Sequence, residues 1–262
     1  MARYINLKIW LPLCLMFLGI SCKTIQHKAS NVKPTICIVG GTPSTTDILN
    51  YIPDSLKAKY NFISFNRPGY GGSALKENNE ALLYELAKNA GLKKYGYAVI
   101  GTSGGGPIAM LLASKFKLKH CGVISGMVSK DAYFKFADKA VTKELFTNLL
   151  LGYSDFEKAV LKFPNLDKIA SQAGTASEEI FIKATFNDLN YILSEPLYAA
   201  IDKDIYIDWW HGENDVNVPF KSAEMFLKNY KNATLHIIPD AGHEIDSTIY
   251  LQKLIDSWQK DK

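Results

Sequence analysis

Six short apolar runs punctuate the chain, and each is closed by turn residues. Thr35–Val39 ends at Gly40-Gly41, Asn61–Phe65 ends at Arg67-Pro68-Gly69, and Tyr97–Ile100 ends at Gly101. Cys121–Ser125 ends at Gly126, Ile205–Trp210 at His211-Gly212, and Thr234–Ile238 at Pro239. Continuous apolar runs of this length, without strict alternation, are the pattern of strands buried on both faces of a mostly parallel sheet. Helical stripes lie between them. Asn79–Ala90 places Leu82, Leu83, Leu86 and Ala90 on one face, and Gly91 stops it. Pro107–Phe116 is apolar throughout, whereas Phe220–Tyr230 and Asp246–Trp258 are amphipathic. This alternation predicts an α/β fold: a mostly parallel sheet of about six strands with helices on both faces.

One interval departs from that rhythm. Residues 128–203 hold no convincing strand, and apolar residues recur at helical spacing, as in Phe156, Val160, Leu161 and Ile180, Phe181, Ala184. The interval predicts an inserted helical cap of roughly three to five helices. It is rich in aromatics: Tyr133, Phe134, Phe136, Phe146, Tyr153, Phe156, Phe163, Phe181, Phe186, Tyr191 and Tyr198. Taken singly these read more readily as packing, and as a group they suit the underside of a lid over an apolar pocket. The predicted organisation is therefore a core of residues 34–127 and 204–262, interrupted by a cap of residues 128–203.

With 47% hydrophobic residues in 262, there is material for one substantial core. The formal net charge is +4. Arg3 and Lys8 lie in the first segment, and without them the balance is about +2, too weak to argue for nucleic acid. No basic run is interleaved with aromatics as a single-strand binder requires. Residues 1–22 read as a targeting segment: a positive start, an apolar stretch from Ile9 to Ile20, then Ser21 and Cys22. The apolar stretch is short for a membrane span. The ending resembles a bacterial lipoprotein signal, in which the cysteine, here Cys22, carries the lipid; Gly19 stands where that signal usually has leucine. Ordinary signal cleavage and an uncleaved anchor are the alternatives, and all three place the protein outside the cytoplasm. Residues 23–33 would serve as a tether. Of the four cysteines, Cys37 and Cys121 fall in separate strands, with a third strand expected between them. Strands are spaced about 4.8 Å apart, so these two read as buried thiols too distant to bridge.

The chemistry concentrates in G-x-S-x-G, present as Gly101, Thr102, Ser103, Gly104, Gly105. A nucleophile on a sharp strand-to-helix turn needs residues without side chains two places before and after it, and Gly101 and Gly105 provide them. An apolar strand precedes the motif and an apolar helix follows; the GK[ST] ending of a phosphate loop is missing. A serine hydroxyl needs a base. Of the five histidines, His243 lies in a turn just after the last strand, where an open α/β sheet gathers its site; His211, ending a strand, is the rival. The base needs an acid to hold its tautomer. Asp215, in the loop after the fifth strand, fits better than Asp202, Asp204, Asp208 or Asp240. An oxyanion needs two fixed N–H donors. Gly104 supplies one; Thr42 or Gly41, in the loop after the first strand, supplies the other, and Pro43 has none to give.

Together these residues resemble the α/β-hydrolase superfamily, from about Pro34 to the end of the chain. Residues 101–105 resemble its nucleophile elbow, and Gly40-Gly41-Thr42-Pro43 its oxyanion loop, with Gly40 where that family usually has histidine. Asn66-Arg67-Pro68-Gly69-Tyr70-Gly71-Gly72-Ser73 is similar to the loop after the following strand, and Gly212–Asp215 and Gly242-His243 to its acid and base loops. The first two strands of the family sheet have no counterpart here. The resemblance implies a serine hydrolase that cleaves a small carboxylic ester or related acyl substrate, with Ser103, His243 and Asp215 catalytic, no metal and no cofactor. A second expectation is an aminopeptidase similar to the proline-releasing members, with Glu144, Glu178, Glu179 or Glu195 near the substrate amine. A third is a ligand-binding protein without turnover. The expected partners are a small acyl molecule and, through the lipid on Cys22, a membrane of the bacterial cell envelope.

Overall fold

The computed structural model describes residues 33–245 and 247–259. The targeting segment, Cys22 and the tether as far as residue 32 lie outside the described residues. Among the described residues, six strands form one sheet in the order β2-β1-β3-β4-β5-β6. They are β1 (Thr35–Val39), β2 (Asn61–Ser64), β3 (Ala98–Thr102), β4 (His120–Ile124), β5 (Tyr206–Gly212) and β6 (Asn232–Ile238). Every pairing is parallel, so the sheet is fully rather than mostly parallel.

Alternation along each strand feeds two separate cores. Cys37, Val39, Val99, Cys121, Val123, Ile207 and Trp209 point to one face. Ile36, Ile38, Ala98, Ile100 and Ile124 point to the other. This is why the runs read as continuously apolar. The first face is covered by α2 (Glu80–Asn89), α3 (Gly105–Phe116) and α10 (Phe220–Leu227). The second is covered by α1 (Asp54–Lys57) and α11 (Ser247–Ser257), through Leu56, Leu254 and Ile255. Local signals set the ends: Asn79 caps α2 by accepting from Leu82 N at 2.9 Å, as a short polar side chain does at an N-terminus. Cys37 and Cys121 both stand in register with Val99, one on each side, and both are free and buried. Burial pushes the Cys37 thiol up to about 12.

Between β4 and β5 lie α4 (Lys130–Phe136), α5 (Lys143–Leu151), α6 (Tyr153–Val160), α7 (Leu166–Gln172), α8 (Glu178–Ile192) and α9 (Glu195–Ala199). The insertion thus has six α-helices among the described residues, where the stripe pattern predicts three to five. The excess comes from breaks that the apolar spacing runs across: Gly152 at φ 117° between α5 and α6, and Asn165 at φ 57° before α7. Most of its aromatics pack on one another. Tyr133 meets Phe134 and Phe146 edge-on at 5.1 and 4.9 Å, and Phe186 meets Tyr153 and Phe156 at 5.3 and 5.5 Å.

Candidate active site

The carboxyl ends of β1, β3, β5 and β6 converge on one edge of the sheet. Ser103 follows β3 directly, at φ 47°, a left-handed conformation that costs a non-glycine residue about 1–3 kcal/mol. The surroundings enforce it. Ser103 N donates to Ile124 O at 3.0 Å, and Ser103 O accepts from Gly106 N and Met127 N, each at 2.9 Å. The turn is so tight that a Cβ on Gly101 would strike the carbonyl of Gly105, and one on Gly105 would strike the carbonyls of Val39 and Gly40. The steric demand read from the motif is met on both sides of the serine.

Ser103 Oγ lies 3.0 Å from His243 Nε2, and His243 Nδ1 lies 2.8 Å from Asp215 Oδ2. Asp215 Oδ1 accepts from the backbone of Asn217 and Val218, both at 2.8 Å, so the carboxylate is clamped by its own loop. Burial alone would raise its pKa; hydrogen bonds from His211 and His243, and the positive charge those rings can carry, outweigh it and hold the carboxyl well below the usual range. An ionised acid fixes the tautomer: His243 Nδ1–H donates to Asp215, leaving the Nε2 lone pair to face the serine hydroxyl.

His211 turns neither ring nitrogen toward Ser103. It is fully buried, its Nδ1 accepts from Trp209 Nε1 at 2.9 Å, and its Nε2 faces Val218 O at 2.7 Å and Asp215 Oδ2 at 3.1 Å. Its part as a second partner of the acid is not visible in the sequence. Three of the other acids weighed for the acid's place are engaged elsewhere: Asp208 accepts from Trp258 Nε1 at 2.7 Å, and Asp202 and Asp204 pair with Lys117 and Lys231.

Gly41 overhangs the serine; a Cβ there would be 3.1 Å from Ser103 Cβ. The Thr42 side chain packs against Gly104, where a Cβ would collide with it, and among the described residues neither backbone N–H is taken by another group. The loop is supported from behind. Gly40 leaves no room for a side chain, since its Cβ would collide with Ser44, and Arg67 donates instead to Gly40 O and Gly41 O, each at 2.6 Å. Arg67 is paired with Asp188 of α8, a residue that sequence reasoning missed. The available signal was a lone acid on the buried stripe of α8, in line with Phe181, Ala184, Thr185 and Ile192.

A cavity of 580 Å³ opens over these groups. Its floor is Gly41, Thr42, Ser103, Gly104 and His243, and its walls come from the insertion: Leu145, Phe146, Val160, Phe163, Ile169, Phe181 and Leu189. Of the eleven aromatics singled out, Phe146, Phe163 and Phe181 line it. Glu244 is the one carboxylate in the lining among the described residues. Glu144, Glu178, Glu179 and Glu195 are all exposed and none lines it.

No family model matches the sequence, and no curated protein does. Solved structures do match the fold. An α/β hydrolase from Sphaerobacter thermophilus shares 17% identity with a TM-score of 0.55, over 86% of this chain and 92% of that one. A thermophilic esterase from Thermogutta terrifontis shares 18% identity with a TM-score of 0.58, over 88% and 90% of the two chains. An epoxide hydrolase from Bacillus megaterium shares 10% identity with a TM-score of 0.61, over 87% and 92%.

Proposed function

Taking as premise that the chain has the α/β-hydrolase fold, we propose that it is a serine hydrolase that cleaves small, largely apolar carboxylic esters or related acyl compounds through an acyl-enzyme. The observation that carries the reading is the pair of contacts at 3.0 and 2.8 Å that links the Ser103 hydroxyl, the His243 ring and the Asp215 carboxylate. Ser103 Oγ attacks the acyl carbon as its proton passes to His243 Nε2. The carbonyl electron pair moves to oxygen, where the N–H groups of Thr42 and Gly104 receive it. Collapse expels the alcohol, which takes the proton from His243, and water repeats the sequence to release the acid.

The residues from the insertion act as a cap whose apolar side chains receive the carbon chain of the substrate. The absence of the four candidate glutamates from the cavity lining weighs against recognition of a free amine by any of those four, and leaves Glu244 as the one carboxylate in reach among the described residues. The amino-terminal pattern ending in Cys22 supports export and a lipid anchor in a bacterial envelope.

A fluorophosphonate probe tests the chemistry. Stoichiometric label on the native chain and none on Ser103→Ala is the expected result; equal label on both sinks the proposal. Hydrolysis of p-nitrophenyl acetate in preference to proline naphthylamide is expected, and the reverse order favours a peptidase.

A further inference from the structure

Behind the loop that holds Gly41 and Thr42 lies a sealed polar cluster. Asp188 is 0% exposed and Arg67 2%. Arg67 Nε donates to Asp188 Oδ1 at 2.8 Å and Nη2 to Oδ2 at 2.7 Å, a bidentate pair. The same guanidinium reaches Gly40 O through Nη1 and Gly41 O through Nη2, both at 2.6 Å. Thr42 Oγ1 donates to Asp188 Oδ2 at 2.6 Å and lies 3.0 Å from Arg67 Nη2. Asn78 Nδ2 adds a bond to Asp188 Oδ1 at 3.0 Å. Charges this deeply buried are tolerated only when saturated with partners in this way.

The triad makes no use of this cluster, but the oxyanion loop does. In a trans peptide the C=O and N–H point in opposite directions. The Gly41–Thr42 peptide is trans, and its oxygen is the one that Arg67 grips. Its N–H therefore points away from Arg67. A cation on the carbonyl also polarises the amide and makes that N–H a stronger donor. Asp188 holds the guanidinium in the plane that serves both carbonyls and ties the Thr42 side chain to the same anchor. A lysine, with a single point charge, offers no such fork.

We propose that Asp188, acting through Arg67, is a positioning residue that aims the Thr42 N–H at the oxyanion. This rests on the serine-hydrolase reading. It makes α8 of the insertion part of the catalytic apparatus, although it touches no reacting atom. An α8 drawn away from the sheet would release the guanidinium and with it the aim of the donor.

The test compares the native chain with Asp188→Asn and with the double variant Arg67→Met/Asp188→Leu, which removes both charges together and leaves neither buried alone. Melting and circular dichroism establish folding. With a p-nitrophenyl ester, the folded double variant is expected to lose on the order of 10²–10³ in kcat, the loss associated with one oxyanion donor, with KM little changed. Its affinity for an alkyl trifluoromethyl ketone, which forms a tetrahedral adduct on serine, is expected to fall by the same factor as kcat/KM. Asp188→Asn is expected to move both quantities in the same direction by less. If the double variant does not fold, Asp188→Asn carries the test. Retention of kcat and of ketone affinity in a folded variant, or a loss confined to KM, overturns the positioning role while fluorophosphonate labelling of Ser103 still stands. A native chain that takes no label removes the serine-hydrolase reading itself.

Discussion

His211 and His243 reach the same oxygen of Asp215, Oδ2, at 3.1 and 2.8 Å. Trp209 Nε1 occupies Nδ1 of His211, so the proton of that ring sits on Nε2, between Val218 O and the carboxylate. The two imidazoles are both donors to the acid, but only His243 has a lone pair left for serine. His211→Phe removes one donor from a buried carboxylate. A hydrogen bond to a charged group contributes about 1.5–3 kcal/mol, so kcat/KM is expected to fall at least tenfold. His211→Gln, which keeps an N–H at a similar reach, is expected to recover part of the loss. Steady-state kinetics of the two variants checks this.

The proposed mechanism also fixes the scale of loss on direct removal of its groups. Ser103→Ala and His243→Ala are each expected to lower kcat by on the order of 10⁴–10⁶, and combining them should add little, because the groups act as a unit. Asp215→Asn is expected to cost about 10⁴, since an amide no longer holds the productive tautomer. Turnover of a p-nitrophenyl ester by purified variants measures all three.

Asp215 should also shape acid stability. Its folded-state pKa is depressed by the two histidines despite burial, whereas an unfolded aspartate titrates near about 3.9. The folded state therefore binds fewer protons than the unfolded chain below that value. The stabilisation is fully present above about pH 4 and is lost as pH falls toward the folded pKa. Melting temperatures recorded from about pH 2 to 5 are expected to rise more steeply with pH for the native chain than for Asp215→Asn.

Phe163 offers a way to alter preference without undoing the core. It lines the cavity yet is 39% exposed, while Phe146 and Phe181, at 5% and 3%, are buried in it. Phe163→Ala is expected to leave melting nearly unchanged and to raise kcat/KM for long acyl chains over short ones by about tenfold, the scale of one or two apolar groups in a pocket. Phe181→Ala is expected to destabilise by about 3–5 kcal/mol. A series of p-nitrophenyl esters of increasing chain length, with thermal melts alongside, separates the two.

What was legible in the sequence was what local sterics and chain order dictate. Strands bounded by glycine and proline appear within two residues of their predicted ends, and Ser103, Asp215 and His243 follow strand ends as expected. The insertion was legible as helical, but its subdivision was not, because Gly152 and Asn165 turn the chain without interrupting the apolar spacing. Three partnerships were hidden for other reasons. Arg67 and Asp188 stand 121 residues apart, and Thr42 and Asp188 146 apart, so no local pattern joins them. His211 and Asp215 are only four apart, yet their contact depends on how the loop folds back at Val218.

Because Asp188 rides on the stretch that also walls the cavity, the proposed positioning role implies that preference and reactivity cannot be exchanged as independent cassettes. A graft that replaced residues between β4 and β5 to accept a different substrate would arrive with new walls and, unless it carried an acid where α8 now meets Arg67, would strand a guanidinium in the interior and slacken the machinery it was meant to redirect.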